Sequence, residues 1–480
     1  MLLASIGFIY LSVGITAFPF LLIDFVVVFA GSRLVEKTQK ASAKRWILVI
    51  ALIIIVGQLV ALKYYNNMTS WINKALVHLF NIQLPQWNNS WIAPIGISYF
   101  SLSAIGYVLD VYWGTCKAEK NPLKIALFIS WFPALVSGPI VKYREQKEQL
   151  FVPHTFSYLS LKFGFERVLW GLFKKMVIAD RLAVMTSTIF ADTVTYPGVY
   201  VVVAVLLFAF QIYCDFSGCM DIVLGASEMF QITLPENFKR PFFSHNLAEF
   251  WRRWHITLGI WAKEYVMYPL LKSRLFQTIG SKTKKLFGKK LGKNIPTYIG
   301  MLILWVVIGI WHGGSAKYIF AAGILPWILI VGGQLLQPAF DGTTRLLRIK
   351  KDCFSYRLFS SLRTLALMCL IWLFAMTAGG VFSGVTAIKH TIRFNPWVLF
   401  DGSLYGLGLD AKDFSLLSIS LLLVLVVSYL KEKGHQIRQE LEQQNIIFQW
   451  IVLLIGIFSV LIFGIYGPGY NPADFIYAGF

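Results

Sequence analysis

Two histidines, His255 and His312, each follow a tryptophan (Trp254 and Trp311) inside or beside strongly apolar sequence. An ionisable side chain in such a setting is costly unless it has a partner or a task. Imidazole titrates near neutral pH, so its neutral form can accept a proton from a hydroxyl. If residues 250–260 are helical, Trp251, Trp254, His255 and Leu258 share a face by the i, i+3, i+4, i+7 rule, and Arg252 and Arg253 turn away. The result is an aromatic face with one titratable group and a cationic flank, which suits the wall of a cavity better than a surface facing lipid. The second histidine sits in Trp311-His312-Gly313-Gly314, at the end of an apolar run. Either histidine alone reads more simply as a packed, hydrogen-bonded residue. Two of them, each after Trp and each beside a helix break or a charge cluster, point to a site.

The other intramembrane ionisable residues are Asp24, Asp110, Asp215 and Asp221. Asp24 and Asp110 lie near span ends and read as solvated or capping carboxylates. Asp215, in the polar patch YCDFSG, reads equally well as a bond between helices or as part of a site. The sequence has no Walker P-loop, GxSxG elbow, HExxH or GxGxxG. The five cysteines include no CxxC pair and no zinc pattern, so no metal site or disulfide framework is implied, and they read as buried thiols.

These residues need a scaffold, and composition says what kind. The 480-residue chain is 57% hydrophobic and only 14% charged, where a soluble domain would carry about 25% charge. Several apolar runs reach the roughly 20 residues that cross a bilayer as a helix. The expected fold is all-α: one polytopic membrane domain over residues 1–480, with about eleven spans plus re-entrant and interfacial pieces. The start, MLLASIGFIYLSVG, has no basic n-region, which argues for a first span that is retained.

The formal net charge of +20 is concentrated in loops. Residues 272–293 hold eight basic residues, Lys272 and Arg274 among them, and no acid; residues 33–45 and 345–363 hold two further basic clusters. The positive-inside rule, with anionic membrane lipids as partners, accounts for this pattern. A nucleic-acid reading lacks any binding module.

Along the chain, residues 2–30 form either two short segments or one long one, interrupted at Pro19 and Asp24. Spans follow at 46–65 and 91–113, separated by a polar stretch rich in Trp and Asn at 66–90. Residues 124–141 contain Pro133, Gly138 and Pro139 and read as a broken or re-entrant helix. Residues 158–181 are too charged to cross lipid freely and should lie in the interface or within the protein. Further spans are expected at 200–230, 297–311, 316–337, 363–382, 414–430 and 448–466, before a turn-forming, then aromatic tail.

Six motifs in order resemble the membrane-bound O-acyltransferase family, and within it the bacterial alginate O-acetyltransferase branch, with teichoic acid D-alanyl transfer proteins as cousins. They are PIGISYF with YVLDVY, FPALVSGPIVKY, GLFKKMVIADRLA, QIYCDFSGCMDI, PENFKRPFFSHNLAEFWRRWHITLGIW and IWHGG. The motifs occupy residues 94–314, leaving N-terminal spans at 1–90 and C-terminal spans at 315–480. The resemblance implies a multi-helix fold around a central catalytic tunnel, in which a cytoplasmic acyl thioester such as acetyl-CoA passes its acyl group towards the far face. The family's invariant histidine falls on His312, which would take the proton of the attacking hydroxyl. Its second polar position falls on His255, which would bind or polarise the thioester carbonyl.

The resemblance marks Trp251, Trp254, Arg252, Asp215 and Trp311 as candidates to line or support the tunnel, and Arg253, Lys272 and Arg274 as candidates to meet donor phosphates. No bound cofactor or metal is implied. The chain departs from the family at AAGILPWILI (residues 321–330), which lacks a histidine, and at YVMYPLLKS (residues 265–273), which lacks a Pro-Leu-Gly-Gly ending. Both leave the acceptor open among alginate, peptidoglycan, teichoic acid and other exported polysaccharides. A transporter would show repeated halves, and none are visible. With no soluble transferase domain in the sequence, the expected form is a relay with an extracytoplasmic partner resembling an SGNH hydrolase.

Overall fold

A computed structural model describes residues 1–83, 96–377 and 379–467. Among these, every regular element is helical, apart from one bridge between Phe238 and Trp254. Eight helices among the described residues are long and apolar enough to cross a membrane: Phe18–Lys37, Ala41–Lys63, Val199–Met229, Ile295–Gly313, Ala316–Leu335, Phe354–Met376, Ala411–Glu432 and Ile446–Phe463. The chain is a multi-pass, all-α membrane protein. The expected count is about eleven, and the difference lies in apolar segments that are short or broken. The first is split at Gly14 (φ 74°) into Leu2–Val13 and Phe18–Lys37, so Gly14 and not Pro19 makes the interruption. Ile97–Trp113 is a 17-residue helix, almost wholly buried. Residues 124–141 are broken as expected: Pro122–Ser130 ends, Trp131 leaves helical geometry, and Phe132–Leu135 adds a single turn. The expected features within 84–95, and the tail from 468, lie outside the described residues.

The Val199–Met229 helix is the axis of the molecule. Its span window is 61% buried, against 6% in Ile446–Phe463, so the first is enclosed by protein and the second faces lipid. The charged Tyr158–Leu172 helix packs directly along it. A Cβ on Gly164 would lie 2.5 Å from the Gly225 carbonyl oxygen, and one on Gly171 would lie 2.5 Å from that of Gly218. Two glycine pairs seven residues apart on both helices thus set the close approach, the small-residue interface common between membrane helices. This contact packs one face of residues 158–172 against the protein and buries most of residues 173–179, while Tyr158, Leu159, Leu161 and Phe165 stay exposed. The charges on the packed side are paired: Lys174 with Asp221 at 2.7 Å, Lys175 with Asp215 at 2.7 Å, and Arg167 with Asp221 at 2.9 Å.

Three expectations need correction. Asp24 is fully buried and Asp110 is 2% exposed, so neither carboxylate is solvated. Asp110 instead meets Thr115 at 3.1 Å, Tyr265 at 3.2 Å and Arg144 at 3.4 Å. The basic stretch 272–293 is not a loop: Arg274–Phe287 is a helix, capped by the Ser273 hydroxyl, with Leu275, Leu286 and Phe287 exposed among its lysines. That alternation fits a helix lying in the membrane interface. Cys214 and Cys369 are buried as expected, but Cys353 is exposed.

Candidate active site

The aromatic sequence around His255 does not form the single helix that its periodicity predicts. Leu247–Arg253 ends, Trp254 is extended (φ −113°, ψ 129°), His255 adopts a left-handed conformation (φ 47°, ψ 51°), and Ile256–Ala262 begins. A non-glycine residue there is uncommon and costs of order 1–3 kcal/mol unless its surroundings hold it. The surroundings here come from PENFK. The Lys239 amide donates to the Arg253 carbonyl at 2.9 Å, and the Ile256 amide donates to the Asn237 carbonyl at 3.0 Å, so the two chains pair across the break. Periodicity is a local signal and carries no trace of a partner eleven or more residues away.

Asn237 fixes the histidine further. Its side-chain oxygen accepts from the Thr257 amide and the Thr257 hydroxyl, both at 3.0 Å, and stands 3.4 Å from His255 Nδ1. Thr257 Oγ1 accepts in turn from the Ile140 amide at 3.1 Å. One hydrogen-bonded chain therefore ties FPALVSGPIVKY, PENFK and WRRWHIT to one imidazole. With Nδ1 donating to Asn237, Nε2 is the ring's acceptor nitrogen. The face of Phe216 meets the ring edge-on with centroids 4.9 Å apart, closing the other side.

His312 lies in the last turn of Ile295–Gly313. Gly314 ends the helix at φ 66°, where a Cβ would also come 2.7 Å from the Tyr64 ring. A Cβ on Gly313 would sit 2.4 Å from the Tyr318 ring, so both glycines of the motif are required by close approach. The final carbonyls of a helix lack partners in their own ladder. That of Trp311 is met by Lys63 Nζ at 2.6 Å and by the Tyr64 hydroxyl at 2.9 Å. Lys63 also donates to Ser98 Oγ at 3.1 Å, and Trp311 Nε1 donates to the Ser98 carbonyl at 3.1 Å. Lys63 thus gives this helix end a donor that its own ladder lacks.

The two histidines come together. Their ring centroids are 6.5 Å apart, and both line one cavity of about 310 Å3, within the range of small-molecule sites. Trp251, Trp254 and Leu258 line it too, so the four residues expected on one helical face do converge, through a helix break instead of a helix. Trp254 is packed between Phe250, Phe238 and Trp372, with centroids 5.4, 5.0 and 5.7 Å away. Arg252 also lines the cavity, with Lys263, and no carboxylate is among its described lining residues. Arg252 thus faces the site, contrary to its expected turn away.

The other candidates fall elsewhere. Trp311 stands behind the site, its ring 5.8 Å from His255, and is absent from the lining; its carbonyl is held by Lys63 and Tyr64. Asp215 is 1% exposed and held by Lys175, in the helix contact described above, so it ties helices together and does not line the cavity. Arg253 bonds Glu249 at 2.8 Å and Glu432 at 3.0 Å and is likewise absent from the lining. Lys272 and Arg274 flank Ser273, at the start of the basic helix, away from the cavity. Sequence reasoning misses Asn237, Thr257, Lys63 and Tyr64. Asn237 and Thr257 lie within the family motifs, but a short polar residue gives no sign of its partner. Lys63 reads as an ordinary lysine at a span end.

The model of the membrane-bound O-acyltransferase family matches residues 118–281, which include His255 and stop short of His312. The protein named "Probable alginate O-acetylase AlgI" of Pseudomonas syringae pv. tomato is 32% identical over 317 residues, 65% of this chain and 55% of its own length. The peptidoglycan O-acetyltransferase of Helicobacter pylori is 27% identical over 423 residues, 82% of this chain and 73% of its own. The teichoic acid D-alanyltransferase of Bacillus subtilis is 27% identical over 235 residues, 48% and 56% respectively. The chain spans about half the length of the alginate O-acetylases it matches. Over residues 118–281 the chain is similar to the membrane-bound O-acyltransferase family, and its motifs and helical membrane fold agree with that likeness.

Proposed function

We propose that the protein is an O-acyltransferase of the cell membrane that moves an acetyl group from a cytoplasmic thioester, such as acetyl-CoA, towards O-acetylation of an exported or cell-wall polysaccharide. The observation that carries this reading is the meeting of His255 and His312 in one cavity from sequence positions 57 residues apart. A cationic lining without carboxylates suits an anionic donor. His312 takes the proton of the acceptor hydroxyl as its oxygen attacks the thioester carbonyl. His255, its tautomer held by Asn237, presents Nε2 to the cavity as an acceptor and helps position the reactants beside His312. The C–O bond forms, the C–S bond breaks, and the thiolate leaves with the proton from His312.

Relatives named for alginate, for peptidoglycan and for teichoic acid all align. These names support an exported cell-surface polymer as the acceptor class and favour no single polymer. Transfer of D-alanine in place of acetate is the second form of the same chemistry, supported by the third relative. We further propose that the acyl group is handed to an extracytoplasmic acetyltransferase that attaches it to the polymer. Deleting the gene and measuring ester-linked acetate on exported polymers tests the activity; unchanged acetate, together with unchanged D-alanine, would refute it. Acetylation of a soluble sugar by the purified chain alone would refute the relay.

A further inference from the structure

A second cavity, of about 950 Å3, lies beside the first and is roughly three times as large. The two share no described lining residue; Asn237 and Phe238 line the second and separate it from His255. It opens among the Tyr158–Leu172, Val199–Met229, Ala411–Glu432 and Ile446–Phe463 helices. Its walls and its mouth differ in kind. The walls are largely apolar, with Leu423 and Val427 from one membrane span, Val452 and Ile455 from another, and Trp170 and Phe173 beside them. The mouth is cationic, with six Lys or Arg side chains against three carboxylates.

Those charges are not equivalent. Arg167 and Lys174 are taken up by Asp221 and Glu236. Lys431 and Lys239 line the same mouth, and among the described residues neither has a carboxylate at salt-bridge distance, although the charges of Asp221 and Glu236 reach Lys431. Lys431 is the next-to-last residue of its 22-residue span, one helical turn beyond Val427. A span of that length places its last turn where the hydrocarbon ends and headgroups begin. Going inward from the mouth, the cavity changes from cation to aliphatic wall within one turn of helix. An amphiphile with an anionic head and aliphatic chains has the same order of chemistry.

We propose that this cavity is a binding site for one anionic glycerophospholipid, with its phosphate at Lys431 and Lys239 and its acyl chains against Val427 and Ile455. A phosphate there forms charge-assisted hydrogen bonds that the protein's own carboxylates do not supply to these two lysines. The chains fill a crevice between two spans that otherwise present their apolar faces to each other across open space. The site is separate from the acyl-transfer cavity, and the inference does not depend on the reaction proposed there.

The test uses the full-length protein, purified in detergent and stripped of lipid. Thermal unfolding is followed with added phosphatidylglycerol, with phosphatidylcholine of the same chains, and with inorganic phosphate. Native mass spectrometry counts the lipids retained. Expected are one tightly held phosphatidylglycerol and a rise in Tm of several degrees that neither phosphatidylcholine nor phosphate reproduces. Lys431→Gln with Lys239→Gln should weaken the apparent affinity at least tenfold and leave the lipid-free Tm unchanged. Val427→Trp, which fills the wall and leaves both lysines, should also lose the lipid. Equal stabilisation by phosphatidylcholine would reduce the effect to general solvation by lipid. Stabilisation by phosphate alone, or displacement of the lipid by coenzyme A, would reassign the mouth to a soluble phosphate ligand or to the donor. Retention of the lipid by both variants would place it elsewhere. Each of these results overturns the proposal.

Discussion

Asn237 holds Thr257 by two hydrogen bonds of 3.0 Å to one side-chain oxygen, and that oxygen is also the neighbour of His255 Nδ1. The left-handed turn at His255 therefore rests on a residue eighteen positions earlier. Thr257→Val keeps the shape and removes the hydroxyl that links Asn237 to the Ile140 amide. The buried groups it abandons cost about 1–3 kcal/mol. We expect polymer acetylation to fall at least tenfold with the protein still present in the membrane, and Thr257→Ser to restore most of it. Acetylation and Tm of the two variants, measured together, check this.

Gly313→Ala should act through crowding. Its Cβ would stand 2.4 Å from the Tyr318 ring, so either the ring or the end of the helix that carries His312 must move. Overpacking of this kind costs typically 1–3 kcal/mol. The expected outcome is strong loss of activity in Gly313→Ala, partly regained when Tyr318→Ala is added to make room. No recovery in the double variant would show that the ring is not the obstacle.

Lys63→Met should lower activity by more than it lowers stability. The ammonium supports the Trp311 carbonyl from 2.6 Å, one residue before His312. Loosening the imidazole by about 1.4 kcal/mol of transition-state stabilisation is a tenfold loss of rate. Lys63→Arg, which keeps the charge on a longer fork, should recover part of it. A Met variant with full activity would reduce Lys63 to a structural cap.

Much of the site is legible in the amino-acid sequence itself. His255 and His312 stand out because imidazole is rare in apolar sequence, and Trp251, Trp254 and Leu258 are marked by their spacing. All five line the cavity. The conformation that brings them there is not legible, because residues 250–260 satisfy a helical period and only the pairing with residues 237–239 breaks it. Charge is informative about membrane topology and less so about partners. Arg253 looks free to meet phosphate, yet Glu249 and Glu432 hold it, and Glu432 is 179 residues away in sequence. Hydropathy finds the eight long spans, and the prolines mark the broken stretch at 124–141, but the number of crossings is overestimated because composition does not show where a chain turns.

That pairing gives a prediction of its own. Arg253→Gln should lower Tm, because it leaves Glu432 with Arg240 as its remaining partner in the ion pairs described, while the apparent KM for the thioester donor stays within about twofold. A large rise in KM at unchanged Tm would return Arg253 to the donor site.

The central claim is that His312 does chemistry at the cavity it shares with His255. The most direct measurement is ester-linked acetate, or D-alanine, on the exported polymer in cells carrying His312→Ala, with the variant's membrane level and Tm measured in parallel. Loss of the ester at normal protein level and near-normal Tm is the predicted result. Full acylation by the variant would contradict it, and loss of the folded protein itself would assign His312 to holding helices together.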